Sequence, residues 1–272
     1  MPSFEPGVPD TRIPDGFHWG VDSTSSILRL FARVKQQFGR APEFWGRYIA
    51  PGRADTVLQK DEIPFLRANS PETRLVLIHN PFGQGFFHQQ VKDRDGNIVS
   101  FKPNPENEFK RGQKVAMDAI GAARAAGITI PRVLIYLNIE KESEFPRVGR
   151  VSPNFIRGWW DVIGPAFGGI YGNVSEFFSN DERLGKGKVA FIGNAYNDAL
   201  AGSTFQPFLW GQFPKKGRGF PVPRYQPKQP PGRSGAVRIW QYGPTTQKGS
   251  FDMNLATDEA FARMLRVDSG PA

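Results

Sequence analysis

Residues 112–140 read GQKVAMDAIGAARAAGITIPRVLIYLNIE. The first half is alanine-rich and reads as a helix, with Val115, Met117 and Ile120 as its expected apolar side residues, and Gly127 is placed to close the turn. Pro131 then leads into Arg132-Val133-Leu134-Ile135-Tyr136-Leu137-Asn138-Ile139-Glu140, the strongest strand signal in the chain. A helix delivered straight into a buried strand is half of a crossover unit, and parallel strands need such crossovers.

The same alternation extends in both directions. Strands are expected at 17–22, 44–49, 74–79, 168–172, 208–211 and 237–242, with 188–192 as the remaining one. The 74–79 run is apolar without alternation, as expected of a strand buried on both faces. Helices are expected at 27–35 behind a cap within Ser23 to Ser26, at 154–163, at 174–179, and from Thr257 or Asp258 to Arg266. Residues 55–68 are helix-like but carry Pro64, and the polar segment 80–111 reads as a lid or binding loop.

Roughly eight strands in this order predict a TIM-type (β/α) barrel with long loops on its C-terminal face. A doubly wound sheet is the rival, but no Gly-x-Gly-x-x-Gly follows the first strand and there is no Walker phosphate loop. Residues 1–15 form an irregular lead-in, and 16–272 a single domain of a length ordinary for one closed barrel. Within it, 214–235 is a Pro-rich basic insertion carrying Lys215, Lys216, Arg218, Arg224, Lys228 and Arg233 and no acid, expected at the functional face.

Composition removes several function classes. With no cysteine, disulfides, thiolate chemistry and Cys-based zinc sites are excluded. His18, His79 and His88 show no His-x-x-x-His pairing, so neither a metal nor a cofactor is expected. No signal peptide is visible and no stretch suits a membrane span. The formal charge of +9 favours anionic partners, yet no nucleic-acid-binding motif accompanies it. An anionic or N-acetylated polysaccharide is the expected ligand, and a protein partner docking on 214–235 is a further expectation.

Acids at strand ends carry the chemistry. Asp22 ends the first strand, Glu140 the fourth, and Asp252 lies shortly after the last. In a parallel barrel those ends meet around one opening. Period two puts Tyr136, Asn138 and Glu140 on one side of their strand. Carboxylates so grouped suit glycoside hydrolysis, in which one acid donates a proton to the leaving oxygen while another stays charged or orients the attacking group. Glu140 is the expected acid, with Asp22 and Asp252 as partners. Asn138, Tyr136, His79, Tyr48, Tyr171, Trp210, Trp240 and Tyr242 are the expected substrate-binding residues, since sugar rings stack on aromatic faces and tyrosine hydroxyls anchor them. Each acid also has a plainer reading, as a cap or a partner for loop amides.

These residues carry a family resemblance. Gly16-Phe17-His18-Trp19-Gly20-Val21-Asp22-Ser23, Phe44-Trp45-Gly46-Arg47-Tyr48-Ile49, Leu134 to Glu140, Gly169-Ile170-Tyr171-Gly172, and Ile239-Trp240-Gln241-Tyr242 followed by Phe251-Asp252-Met253-Asn254 occur in an order that spans residues 16–257. The set resembles the bacterial glycoside-hydrolase-like proteins formerly grouped as a domain of unknown function, which are similar to the family 25 lysozymes. The resemblance implies a barrel acting on or binding peptidoglycan or a related polysaccharide, outside the cell or in its envelope, with Glu140 as the acid of an Asp-x-Glu motif. Asn138 stands where that motif has its aspartate. An amide can orient an acetamido group but supplies no negative charge, and losing that charge costs about 10²–10³ in rate. A catalytically weak or inactive carbohydrate-binding or envelope-interaction protein is therefore the alternative.

Overall fold

The protein is described here from a computed structural model, over residues 13–49, 55–81, 89–92, 94–95, 98–102, 105–128, 133–138, 153–173, 208–212, 224–227, 229, 235–244 and 251–268. Its elements run β1 (Phe17–Ser23), α1 (Ile27–Phe38), β2 (Phe44–Ile49), α2 (Glu62–Asn69), β3 (Arg74–His79), β4 (Gln89–Lys92), β5 (Ile98–Lys102), α3 (Pro105–Ala125), β6 (Ile135–Asn138), α4 (Pro153–Ile163), β7 (Gly168–Asn173), β8 (Leu209–Gln212), β9 (Val237–Pro244), β10 (Asp252–Thr257), α5 (Asp258–Ala262) and β11 (Leu265–Arg266).

Eight of these strands close in the order β3-β2-β1-β10-β9-β8-β7-β6, and β6 pairs back onto β3. The expected TIM-type (β/α) barrel is therefore present, in a mixed form. β10 runs antiparallel to both β1 and β9, while the other neighbours are parallel. The strand signals at 17–22, 44–49, 74–79, 168–172, 208–211 and 237–242 all became barrel strands. The segment 188–192 lies outside the described residues, as does 174–179; the eighth strand is β10, which the sequence reading passed over. The segment 80–111 contains the β4–β5 hairpin and the start of α3, so it is less of a loop than expected.

Alternation along the strands divides the core in two. One set of side chains fills the barrel: Phe44, Val76, Ile78, Leu134, Tyr136, Tyr171, Phe208, Trp210, Ile239 and Ala256. The other set, including Trp19, Val21, Trp45, Leu75, Leu77, Ile135, Leu137, Ile170, Trp240, Tyr242 and Leu255, faces outward into the layer made with the helices. α1 shows why its sequence belongs there. Ile27, Leu30, Phe31, Val34 and Phe38 recur on one face and are buried, Ser26 accepts a hydrogen bond from the Leu28 N–H, and Gly39 closes the helix at φ 70. Pro64 does not interrupt α2, because it falls in the first turn, where its missing N–H has no intrahelical partner anyway.

The C-terminal segment seals the bottom of the barrel. Ala260 and Met264 join the interior cluster, and β11 pairs with the first residues of β3, below the point where β6 takes over as its partner. Thr257 caps α5 through its side chain, as expected, but the helix stops at Ala262 and not at Arg266. At the same end His18 lies flat against Phe261 and bridges two carboxylates, with Nδ1 at 2.6 Å from Glu43 and Nε2 at 2.9 Å from Asp258.

Candidate functional site

The C-terminal ends of the parallel strands and the first residues of β10 share one end of the barrel, here called the mouth. Asp22 is the direct cross-strand partner of Asp252, so the two acids sit side by side although one ends its strand and the other begins one. Directly opposed side chains lie on one face of an antiparallel pair. Asp22 is buried and Asp252 is half-buried.

Asn254, two residues into β10, organises this corner. Its Nδ2 donates to Asp22 Oδ1 at 2.7 Å and to the Asp252 carbonyl at 3.1 Å. Its Oδ1 accepts from Trp210 Nε1 at 2.9 Å. An indole N–H can only donate, which fixes the amide's orientation and leaves Asp22 Oδ1 as an acceptor.

Trp210 reaches this position from β8, on the far side of the barrel from β2. A Cβ added at Gly46 of β2 would stand 2.5 Å from Trp210 Cη2 and 2.6 Å from Asp22 Cβ. The indole therefore crosses the barrel and ends in the space that Gly46 leaves empty. Tyr136 and Tyr171 meet it edge-on, with ring centroids at 5.3 and 4.9 Å. The Tyr171 hydroxyl donates to Gln241 Oε1 at 2.9 Å. Asn138, the register partner of Tyr171, is buried beside it on the inward face.

A buried ion pair holds the frame from outside. Arg47, fully buried, donates through Nε and Nη2 to Glu62 at 2.8 and 3.0 Å and through Nη1 to the Ser23 carbonyl. Glu62 also accepts the N–H groups of Ile27 and Gln59, both at 2.9 Å. The residue following Asp22 is thus tied to β2, to α2 and to the first turn of α1.

The structure brings together Asp22, Asp252, Asn138, Tyr136, Tyr171, Trp210 and Tyr48, the last half-buried against the interior cluster. Trp210 is fully buried beneath the mouth, so it supports the site and offers no open ring face. Three expected substrate-binding residues point the other way. His79 stacks near Trp159 of α4, with ring centroids 6.3 Å apart, and Trp240 and Tyr242 belong to the outer layer, where the Tyr242 hydroxyl accepts from Trp19 Nε1 at 3.0 Å. The cause is strand parity: on β3 Val76 and Ile78 face inward, and on β9 Ile239 and Gln241 do. Glu140 lies outside the described residues. So does most of 214–235, but Tyr225 within it stacks on Phe17, at a centroid distance of 4.3 Å, and its hydroxyl donates to the Val237 carbonyl. The described part of that insertion packs on the outer wall near the start of β1, away from the mouth.

Asn254 and Gln241 are functional candidates that the sequence reading did not nominate. Gln241 had a signal, as an amide between Trp240 and Tyr242 in an aromatic strand, whereas Asn254 lies in β10, whose polar Asp252 and Asn254 hid the strand itself.

No family model and no curated protein sequence matches the chain. Among solved structures, an uncharacterized B. stearothermophilus protein is 25% identical, with 91% of this chain and 99% of that chain covered and a TM-score of 0.65. The Mycobacterium tuberculosis Tat-secreted protein Rv2525c, solved in complex with HEPES, is 17% identical over 92% of this chain and 98% of that one, at a TM-score of 0.48. The modular autolysin LytC of Streptococcus pneumoniae is 10% identical, covering 89% of this chain and 47% of its own, at 0.47. The first likeness, end to end over both chains, supports the same barrel. Among the described residues, no helix is long and apolar enough to cross a membrane.

Proposed function

We propose that this chain is a glycoside-hydrolase-like protein that binds at its barrel mouth, and acts on, peptidoglycan or a related N-acetylated polysaccharide of the cell envelope. The observation that carries the reading is the Asp22–Asp252 pair, with Asp22 held as a hydrogen-bond acceptor by Asn254. The motif resemblance across 16–257 supports it independently. In this reading Glu140 donates the proton to the leaving oxygen. Asp22 and Asp252 stabilise or orient the group that attacks the sugar carbon. Asn138 and Gln241 offer amides to sugar hydroxyls and acetamido groups. An envelope location follows from the same reading.

One observation favours a second form of this function. Asn138 is buried at the mouth where the resembling motif carries an acid, so a barrel that binds the glycan and turns it over slowly or not at all is the alternative. Incubating the protein with peptidoglycan and chitin-type oligomers, and counting new reducing ends, separates the two. Hydrolysis that collapses in Glu140→Gln while binding persists supports the enzyme. Co-sedimentation with cell wall at low salt without product supports the binder. Neither product nor sedimentation overturns both.

A further inference from the structure

We infer that Trp210 is a positioning residue for Asp22, acting through the side-chain amide of Asn254. The inference deepens the proposed function, on which its importance for glycan chemistry rests.

An asparagine amide placed between an indole and a carboxylate has two orientations a half-turn apart. If the amide turned, its NH2 would face the Trp210 N–H, donor against donor, and its oxygen would face Asp22 Oδ1, acceptor against acceptor. Both contacts become repulsive at once, so the two flanking groups together select one state. Neither flank is free to drift. Trp210 is fully buried, braced by two tyrosine edges and stopped at its far end against Gly46. Asn254 is fully buried as well, with its second N–H occupied by the Asp252 carbonyl. Asp22 is thus the last member of a rigid chain that begins on the opposite wall of the barrel.

The indole nitrogen has a role separate from the ring's packing. Without it, the Asn254 oxygen loses its donor inside a closed site, the amide orientation is held only by the acceptors Asp22 and the Asp252 carbonyl, and Asp22 faces a less firmly fixed partner. The ring alone would still fill the barrel. Shape and hydrogen bonding can therefore be separated at this one side chain.

The test is a spectroscopic one on the intact chain, without any sugar. Trp210 is replaced by its benzothienyl analogue, in which sulfur stands for the indole N–H at nearly unchanged shape, and, in parallel, by Trp210→Phe. The Asn254 side-chain NH2 pair is followed by 15N–1H NMR. In the wild type one of the two protons should be displaced downfield by its contact with Asp22 Oδ1. Loss of at least half of that displacement in the benzothienyl protein, with its melting temperature close to wild type, is the expected result. An Asn254 pair that keeps the displacement in the benzothienyl protein and in Trp210→Phe would overturn the assignment. Absence of glycan binding by the wild-type protein would contradict the proposed function, whereas the amide signal is read without glycan and decides the positioning role on its own.

Discussion

Replacing Gly46 with alanine probes the mouth at its tightest point. The added methyl carbon would stand 2.5 Å from Trp210 Cη2 and 2.6 Å from Asp22 Cβ, both far inside van der Waals contact. Neither neighbour yields cheaply. Cη2 is the tip of a fused ring held between Tyr136 and Tyr171, and Asp22 Cβ is bonded to the backbone of β1. Relief requires moving a strand or turning the indole off its hydrogen bond to Asn254. Overpacking of this kind costs about 1–3 kcal/mol, and the rigid neighbours put Gly46→Ala at the upper end. At roughly 2–4 °C per kcal/mol for a chain of this size, the midpoint should fall by about 6–12 °C. Gly121→Ala is the matched control: it lies within α3 with nothing inside 4 Å of its added carbon, and should be neutral or stabilising by up to about 1 kcal/mol. Thermal melts of both proteins followed by circular dichroism measure the difference. A Gly46→Ala midpoint equal to that of Gly121→Ala would refute the reasoning that the indole ends in the hollow left by this glycine.

The buried pair below Asp22 should behave as a unit. Arg47→Met alone strands a buried Glu62 and should cost about 3–5 kcal/mol in urea unfolding, whereas Arg47→Met combined with Glu62→Gln should cost less, because the uncharged amide oxygen still accepts a backbone N–H of Ile27 or Gln59. Glu43 gives the fold an acid-sensitive latch. Burial works against its charge, but hydrogen bonds from His18 and the Trp19 N–H, with the charges of His18 and Arg40, outweigh it and lower the pKa below 4.5. A lowered carboxyl pKa adds stability that is present above the unfolded value and is lost as pH falls through the folded one, so Glu43→Gln should flatten the acid limb of the stability curve below about pH 4.5. Glu108 has the opposite sign. Burial raises its pKa to about 7 against the opposing charge of Arg111, so the folded state holds the proton more tightly and stability should decline as pH rises from 4.5 to 7. Glu108→Gln should then melt higher than wild type at pH 8, with the gap closing by pH 5.

Much of the barrel was legible because its strands are buried on both faces. Runs such as Leu75-Val76-Leu77-Ile78 declare themselves with no knowledge of neighbours. β10 did not, because DMNLAT carries Asp252 and Asn254 on its inward side, where the polar pair at the mouth replaces the apolar signal. The hairpin of β4 and β5 was hidden in a polar stretch, although Asp95-Gly96 between the two strands is a turn signal. At the site, Asp22 and Asp252 were identified as neighbours from their places at the barrel end, but not that they face each other across a strand pair. Strand parity separated Trp240 and Tyr242 from the mouth. On β9 that parity is set through a register irregularity against β8, next to Arg238, which no period-two count reveals. Arg47 carried an unread signal of its own, since a basic residue within Phe44-Trp45-Gly46-Arg47-Tyr48-Ile49 must find a buried partner, and Glu62 lies 15 residues away in sequence.

Whether a glycan engages the mouth through Asp22 is best decided by binding. Dissociation constants for a chitin-type oligomer would be compared among wild type, Asp22→Asn, which keeps the side chain's size, and Asp118→Asn, a surface change on α3. Affinity at least about tenfold weaker in Asp22→Asn, with Asp118→Asn like wild type, is the result expected. Equal affinity in all three proteins would contradict it, and the sugar would have to be sought somewhere other than the open end of the barrel.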